Sequence, residues 1–367
     1  VFLTTLAALA TLARAVPALR RVARQARESL LYGHERRGGA LERGEEEEKK
    51  TKPRGIDLMI ARNRKMNSDA SVKNGRGFQP RASDVFITTY AKCGTTWTMQ
   101  ILQQLRSGGD MEFEEITEAI PWDVLAMDCG QNLDDDQKYQ PRCFKSHEQW
   151  QHIAKGGRYV YVARHPEDAM LSFLKFLPKW MCVPETMPVT VEEFVDAIFA
   201  GASNSGLIWN HFAGWYSQRN NPNVLWLFFE DLKADLRTSV LRIAKFLGMQ
   251  PNKELVDLVV KMSHFSYMKE EQSKFDDHFV FNRVKKQMGL EGFAHRATKV
   301  RKSGGKVGEG KQALPKHILD KLSSKWEMIM TAQTGLKTYS DLREAIYKAY
   351  PEYYEEEKLM KYFKSPL

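Results

Sequence analysis

The sequence predicts an α/β protein with a central parallel sheet flanked by helices, a P-loop-like three-layer architecture. Three observations carry that prediction. Short apolar runs, Val85–Thr89 (VFITT), Arg158–Ala163 (RYVYVA) and 224–229 (VLWLFF), have no polar alternation, as strands buried on both faces do not. Helical patterns separate these runs, which implies crossover connections and a parallel sheet. The residues able to do chemistry cluster just after each run, where ligands of such sheets bind.

The elements follow in chain order. Residues 1–31 are apolar up to position 13 and then carry Arg14, Arg20, Arg21, Arg24 and Arg27 against one acid, Glu28. An acid-poor, Arg-spaced amphipathic stretch resembles an organelle transit peptide or the tail of a signal sequence, and equally fits a surface helix. Cytoplasmic or organellar residence is expected, with membrane contact only through residues 1–31. Gly38-Gly39 and Glu45 to Lys50 read as a solvated linker. The expected organisation is therefore a targeting-like segment and linker over 1–54 and a folded domain over 55–367. Strands are expected at Val85–Thr89, 143–145, Arg158–Ala163 and 224–229. Helices are expected at 96–105, 166–177, 191–200, 207–216 and 238–247, the last closed by Gly248 as a C-cap.

Composition narrows the function classes. Hydrophobic residues make up 43% of 367, enough for a packed core. The net charge is +9, but residues 1–54 hold twelve Lys/Arg against seven Asp/Glu, so the remaining chain is nearly balanced. Nothing in it asks for a nucleic-acid groove. The four cysteines, Cys93, Cys129, Cys143 and Cys182, have neither C-x-x-C spacing nor a histidine cluster, so neither a zinc site nor a disulfide scaffold is expected.

After the first strand the chain reads Tyr90-Ala91-Lys92-Cys93-Gly94-Thr95-Thr96-Trp97. Gly94 lets backbone approach an anion, and a following helix N-terminus offers N–H donors. Lys92 adds a charge, and Thr95 and Thr96 add hydroxyls. This is not a Walker A loop, because Lys precedes the only Gly and no Lys-Ser/Thr end supplies a magnesium-binding hydroxyl. The loop suits a phosphate-like group without an obligatory metal; a plain helix-capping turn is the other reading.

The stretch Tyr-x-Lys-x-Gly-Thr-Thr-Trp is similar to the phosphosulfate-binding loop of the cytosolic-type sulfotransferases, whose sulfuryl donor is 3′-phosphoadenosine-5′-phosphosulfate. The resemblance continues in family order over roughly 85–310. Pro141-Arg142-Cys143-Phe144-Lys145-Ser146-His147 is similar to the P-R-x-x-K-[TS]-H motif. It implies His147 as general base and Lys145 and Lys92 as charge stabilisers, roles for which an imidazole and two ammoniums are suited. Arg164, after the third strand, and Ser172, two turns along the next helix, match the family's 3′-phosphate ligands. For Arg164 a surface ion pair with Glu167 or Asp168 is the alternative. Phe229 stands where the family usually has Tyr, keeping the packing face and losing a hydroxyl. Ser263, Phe265 and Met268 resemble the adenine-surrounding stretch, with Trp97 and Phe265 stacking on the base. Residues 301–311 resemble the family's closing R-K-G-x-x-G-D-W-K, with Gly310 in place of Trp; the resemblance implicates Gly305 and leaves Arg301, Lys302 and Lys306 as alternative basic ligands, Arg301 and Lys302 first. Cys93 stands where the family often has Ser, as a neutral replacement or an oxidisable thiol. The family's dimer signature is not visible.

The resemblance implies a sulfotransferase acting on a hydroxyl or amine of a small-molecule acceptor. The acceptor pocket is expected from segments 114–136, 183–191 and 275–294. Two rivals remain open, an ATP-dependent kinase-like enzyme and a non-catalytic nucleotide-binding protein on the same fold.

Overall fold

Four parallel strands in the order β2-β1-β3-β4 form the sheet, with β1 Val85–Thr89, β2 Cys143–Ser146, β3 Arg158–Ala163 and β4 Val224–Phe228. The computed structural model describes residues 54–300 and 305–364. The targeting-like segment 1–31 and almost all of the linker lie outside them. The described residues belong to one unit, and among them no helix is long and apolar enough to cross a membrane.

All four strands are buried along nearly their whole length. Their side chains alternate between two cores. Phe86, Tyr159, Tyr161, Trp226 and Phe228 face an aromatic core, while Val85, Ile87, Val160, Val162, Leu225 and Leu227 face an aliphatic one. The period of two is that of a pleated strand, and apolarity on both phases is why the runs read as continuous. The run at 224–229 ends one residue earlier than expected, because the backbone turns helical at Phe229. The expected 166–177 helix is two, Pro166–Leu174 and Leu177–Trp180.

Helices cover both faces. α1 (Gly55–Arg64) and α2 (Asp69–Gly77) precede the sheet, and α3 (Thr95–Ser107) follows β1. α4 (Pro166–Leu174) and α5 (Leu177–Trp180) follow β3. α6 (Val191–Phe199) begins with a capping box in which Thr190 and Glu193 satisfy each other's backbone. α7 (Ile208–Tyr216), α8 (Phe229–Ala234) and α9 (Leu236–Leu247) complete this part, and Gly248 closes α9 in the left-handed conformation the sequence suggested. Beyond them lie α10 (Lys253–Ser263), α11 (Phe265–Glu270) and α12 (His278–Val284). Later helices include α13 (Lys316–Trp326) and α14 (Tyr339–Ala349), whose Tyr339 packs on Phe228.

The sheet is tied at its lower edge by a buried ion pair. Asp84, just before β1, accepts from Arg142 Nε and Nη2 at 2.9 and 2.6 Å, and both residues are essentially inaccessible. Arg142 also donates to the carbonyls of Leu133, Asp134 and Asp135, so its charge is compensated on every side. Removing one member leaves the other charge buried. Asp84→Ala is therefore expected to lose about 3–5 kcal/mol of unfolding free energy in urea titration. Replacing both partners with apolar residues should recover much of that loss; equal losses in single and double variants would contradict the account.

Candidate active site

Parallel pairing brings the carboxyl ends of the strands into one row. Thr88 pairs with Ser146 and Tyr161, and Ala163 pairs with Phe228. The next residues, Tyr90, His147, Arg164 and Phe229, emerge at the same level of the sheet. Beyond them opens a cleft enclosing about 1350 Å³, part of it open to solvent.

The floor of the cleft is the turn from β1 into α3. Thr89 Oγ1 and Thr95 Oγ1 lie 2.6 Å apart, tying strand end to helix start. Gly94 is the N-cap residue, with φ of 104°, a conformation that costs a side-chain-bearing residue strain. A methyl group there would also stand 3.1 Å from the Phe229 ring. Lys92 takes a left-handed φ of 69° without being glycine, and its ammonium lies 3.7 Å from the centre of the Phe176 ring. Gly94, Thr95, Thr96 and Trp97 line the cleft with Lys92, and the first turn of α3 has N–H groups with no intrahelical partner. Cys93 differs. It is fully buried in the aromatic core, its N–H donates to Tyr90 O at 3.2 Å, and burial pushes its thiol far up. Its side chain is thus part of the packing and not of the cleft lining, which removes the oxidisable-thiol reading.

At the β2 end stand Lys145 and His147. His147 Nδ1 lies 2.8 Å from Thr89 O. A carbonyl oxygen only accepts, so Nδ1 carries the proton and Nε2 keeps its lone pair. Burial, then the Lys145 charge, push the imidazole down to about 3, so it is neutral. His211 braces the same residue. Its Nε2 donates to His147 O at 3.2 Å, and its Nδ1 accepts from Tyr161 OH at 2.9 Å. His152, one turn along the sequence, is exposed and lines neither side of this arrangement. Lys145 is 1% exposed; it donates to Asp277 Oδ1 at 3.1 Å and lies 3.8 Å from the centre of the Trp122 ring. Trp122 in turn meets His147 edge-on at 5.0 Å. Lys299 also pairs with Asp277.

The β3 and β4 end holds Arg164, Ser172 and Phe229. Arg164 is 3% exposed and its guanidinium lies 4.2 Å from the centre of the Phe229 ring. It donates to Lys92 O and Lys306 O, while its Nε is buried without a partner. Among the described residues it forms no ion pair with Glu167 or Asp168. Asp168 instead accepts from the N–H groups of Gly308 and Gly310 at 2.8 and 2.6 Å. Gly310, where the resembled family has Trp, approaches so closely that a Cβ would sit 2.3 Å from the Glu167 carbonyl carbon. Ser172, on α4, lines the cleft. Phe229 is hemmed in by Trp97, edge-on at 5.7 Å, and by Gly94 and Gly305. Trp97 Nε1 donates to Ser263 O at 2.7 Å, whereas Ser263 Oγ is buried without a partner. Phe265, Met268 and Gly305 line the cleft as well. Arg301 and Lys302 lie outside the described residues.

The remaining wall is apolar and comes largely from residues the sequence did not single out. Phe173 of α4, Phe176 between the two helices, and Leu177 and Trp180 of α5 line the cleft together with Met66 and the polar Asn63 and Asn204. Of the three segments expected there, 114–136 contributes Trp122 and 275–294 contributes Asp277. Segment 183–191 contributes none; its Val183 and Met187 pack against Gly55 of α1 instead. Asp277 and Lys299 sit in stretches without motif character, and only folding reveals them.

Arg164 Nε and Ser263 Oγ are buried without partners, the first beside the Phe229 ring and the second on the residue to which Trp97 donates, and a Cβ at Gly94 would encroach on the floor. A phosphate-bearing nucleotide fits that set. The comparisons agree with the geometry. The sulfotransferase domain family model matches residues 82–331. An amine sulfotransferase of Oryctolagus cuniculus is 33% identical over 202 residues, 52% of this chain and 65% of that protein. Sulfotransferase 1E1 of Homo sapiens is 31% identical over 217 residues, 54% of this chain and 71% of that protein. The match thus spans about two thirds of these relatives' length. Among solved structures, retinol dehydratase in complex with androsterone and the inactive cofactor PAP has a TM-score of 0.57 at 20% identity, covering 74% of this chain and 87% of that one. A mouse sulfotransferase complexed with PAP gives 0.54 at 18%, covering 77% and 94%. At these identities the likeness is one of fold.

The tautomer has a direct readout. In a nitrogen-15 histidine spectrum, His147 is expected to remain neutral with the proton on Nδ1 from pH 8 down to about pH 5, since its pKa is far below the ordinary 6.5. An imidazolium signal for His147 above pH 5, or an Nε2–H tautomer, would contradict the geometry.

Proposed function

Because the chain belongs to the sulfotransferase family, we propose that its cleft transfers a sulfuryl group from 3′-phosphoadenosine-5′-phosphosulfate to a hydroxyl or amine of a small-molecule acceptor, with His147 as general base. The observation that carries this reading is the Nδ1–H to Thr89 O hydrogen bond, which leaves Nε2 unprotonated on the cleft side. A base must hold a lone pair where the acceptor proton leaves, and the neutral imidazole meets that condition at physiological pH. His211 keeps the backbone of residue 147 in place, so ring orientation is fixed before an acceptor arrives.

When bound, the nucleotide supplies the sulfuryl group. The chain's own residues supply position and charge. The β1 loop and the α3 N-terminus attract its 5′-side anion, with Lys92 beside them. Arg164 and Ser172 hold the 3′-phosphate, for which the unpartnered Arg164 Nε is one available donor. Trp97, Phe229, Phe265 and Met268 form the adenine surround, with Ser263 Oγ as a hydroxyl still open to a partner. Gly305 lines that end, and Arg301 or Lys302, just before it in sequence, add a further cation for the 3′-phosphate. Lys145 offsets negative charge on the group in transfer, and low exposure strengthens that interaction. No step calls on a metal ion. The apolar wall of Phe173, Phe176, Leu177 and Trp180 excludes water from the acceptor and favours an acceptor with an apolar body. The steroid and retinoid ligands named for two solved structures of this fold are of that type.

The kinase-like alternative lacks support in the loop, since no Lys-Ser/Thr pair follows the glycine, and Arg164 and Ser172 would have no partner on ATP. The non-catalytic alternative leaves the tautomer of His147 without purpose.

Two measurements test the reading. His147→Ala should lower sulfuryl transfer from labelled donor by about 10²–10⁴-fold, while 3′,5′-adenosine bisphosphate binding by calorimetry stays within a few-fold. Retained turnover would sink the assignment. Arg164→Ala should weaken the bisphosphate by about 10–100-fold, the loss of a charged bidentate hydrogen-bonding group, with little effect on ATP. Equal losses for the two nucleotides would refute the 3′-phosphate role.

A further inference from the structure

We infer that Asp277 is a positioning residue for the transfer end of the site, gathering the ammoniums of Lys145 and Lys299 on one carboxylate oxygen at the cleft beside His147. This rests on the sulfuryl-transfer reading above and adds two residues that no motif in the chain marks.

The geometry is that of one acceptor shared by two cations. Asp277 Oδ1 accepts from Lys145 Nζ at 3.1 Å and also from Lys299 Nζ. Asp277 and Lys145 are 3% and 1% exposed, so water offsets neither the carboxylate nor the Lys145 ammonium to any useful extent. Thr117 Oγ1 lies 3.5 Å from the same oxygen. Lys145, Lys299 and Asp277 all line the cleft with Trp122 and His147. The row Asp277, Lys145, Trp122, His147 is thus contiguous, each member touching the next.

Burial by itself argues against charge on Lys145 and pushes its pKa below the ordinary lysine value, and Lys299 pushes the same way. Asp277 opposes both. Burial likewise works against charge on Asp277, but the two ammoniums outweigh it and hold the carboxyl below its ordinary range. The remaining ionisable groups facing the triad are Glu115, His147, His295 and Cys129; burial pushes the His295 imidazole down and the Cys129 thiol up, so both disfavour charge. Glu115 is raised well above the ordinary carboxylate range, first by burial and then by Asp277, and its Oε1 is unpartnered. Two ammoniums and one carboxylate leave the triad one net positive charge toward the cleft. That is the sign needed by a group that carries negative oxygens while it moves.

The backbone makes the position unusual in a second way. Asp277 takes a left-handed φ of 71° at the start of α12. Aspartate and asparagine tolerate that conformation better than most residues, so Asp277→Asn removes the charge with no added backbone strain. Lys299 precedes the Gly305–Gly310 stretch whose Gly308 and Gly310 bind Asp168. The segment leading to the nucleotide-closing loop is therefore fastened to the same carboxylate that orients Lys145.

The test compares wild type, Asp277→Asn and Lys299→Gln. In Asp277→Asn, kcat should fall at least about 10²-fold, with bisphosphate affinity within three-fold of wild type. The alkaline limb of its pH–kcat profile should move down by about 1–3 pH units, because Lys145 loses the charge that kept it protonated. Lys299→Gln should move that limb up, by removing the like charge, while lowering kcat. In the ligand-free enzyme, the carbon-13 ε resonance of Lys145 should titrate at lower pH in Asp277→Asn than in wild type. An unmoved alkaline limb together with an unmoved Lys145 titration would overturn the inference, as would a bisphosphate affinity lost in proportion to kcat. Absence of sulfuryl transfer by wild type itself would defeat the function proposed above instead, and the lysine titration in the ligand-free protein would then decide the role of Asp277 alone.

Discussion

The pairing of β1 with both β2 and β3 is the constraint from which the site follows. Because all three strands run parallel and in register, their carboxyl ends finish at one level and their successor residues become neighbours. Residues as distant in sequence as Lys92, His147 and Arg164 meet with no long side chain having to reach. The hydrogen bond from His147 to Thr89 O is itself a bond between the ends of two adjacent strands. Loss of register by one residue would exchange the faces of every side chain on β1 and break it.

The sheet also sorts its own side chains. Its aromatic face, Phe86, Tyr159, Tyr161, Trp226 and Phe228, underlies the β2 to β3 part of the site, and Tyr161 reaches up to His211. Polar function is thus built from the core outward. The consequence is that ionisable groups at the site are dry. Burial holds His147 and His211 neutral, and burial also pushes the carboxyls of Asp123 and Glu115 up to about 7. These effects oppose each other in stability. A histidine whose folded pKa is lowered makes the fold less stable as pH falls below about 6.5, where the unfolded chain takes the proton. An acid whose folded pKa is raised makes the fold less stable as pH rises above about 4, where the unfolded chain gives its proton up. Over the same window, roughly pH 4 to 6.5, the two contributions offset one another.

Glycine and left-handed residues mark where backbone, not side chain, shapes the site. Gly94 is left-handed with Phe229 against it, and Gly310 lies against the carbonyl of Glu167. By family pattern Gly310 occupies a tryptophan position. In the structure it is a close contact between the returning loop and α4, with Asp168 accepting two of the loop's N–H groups. The departure from the family pattern thus has a packing reason.

Much of this was legible in the residues. Unbroken apolar runs determined the strands, because a strand buried on both faces has no polar phase. Their spacing by helical patterns determined parallel topology, since parallel strands need crossovers. The loop at 90–97 and the P-R-x-x-K-S-H stretch could be located because short-range geometry, a strand end followed by a turn, is encoded in consecutive residues. Tertiary structure decided the rest. It sent Cys93 inward, turned Phe229 into a helix start and gave the apolar wall to α4 and α5 in place of segment 183–191. It also brought Asp277 and Lys299 to Lys145. The separation from Lys145 to Asp277 is 132 residues, and no local pattern records a contact of that range. Their meeting depends on where α12 and the segment after it pack once the sheet has formed.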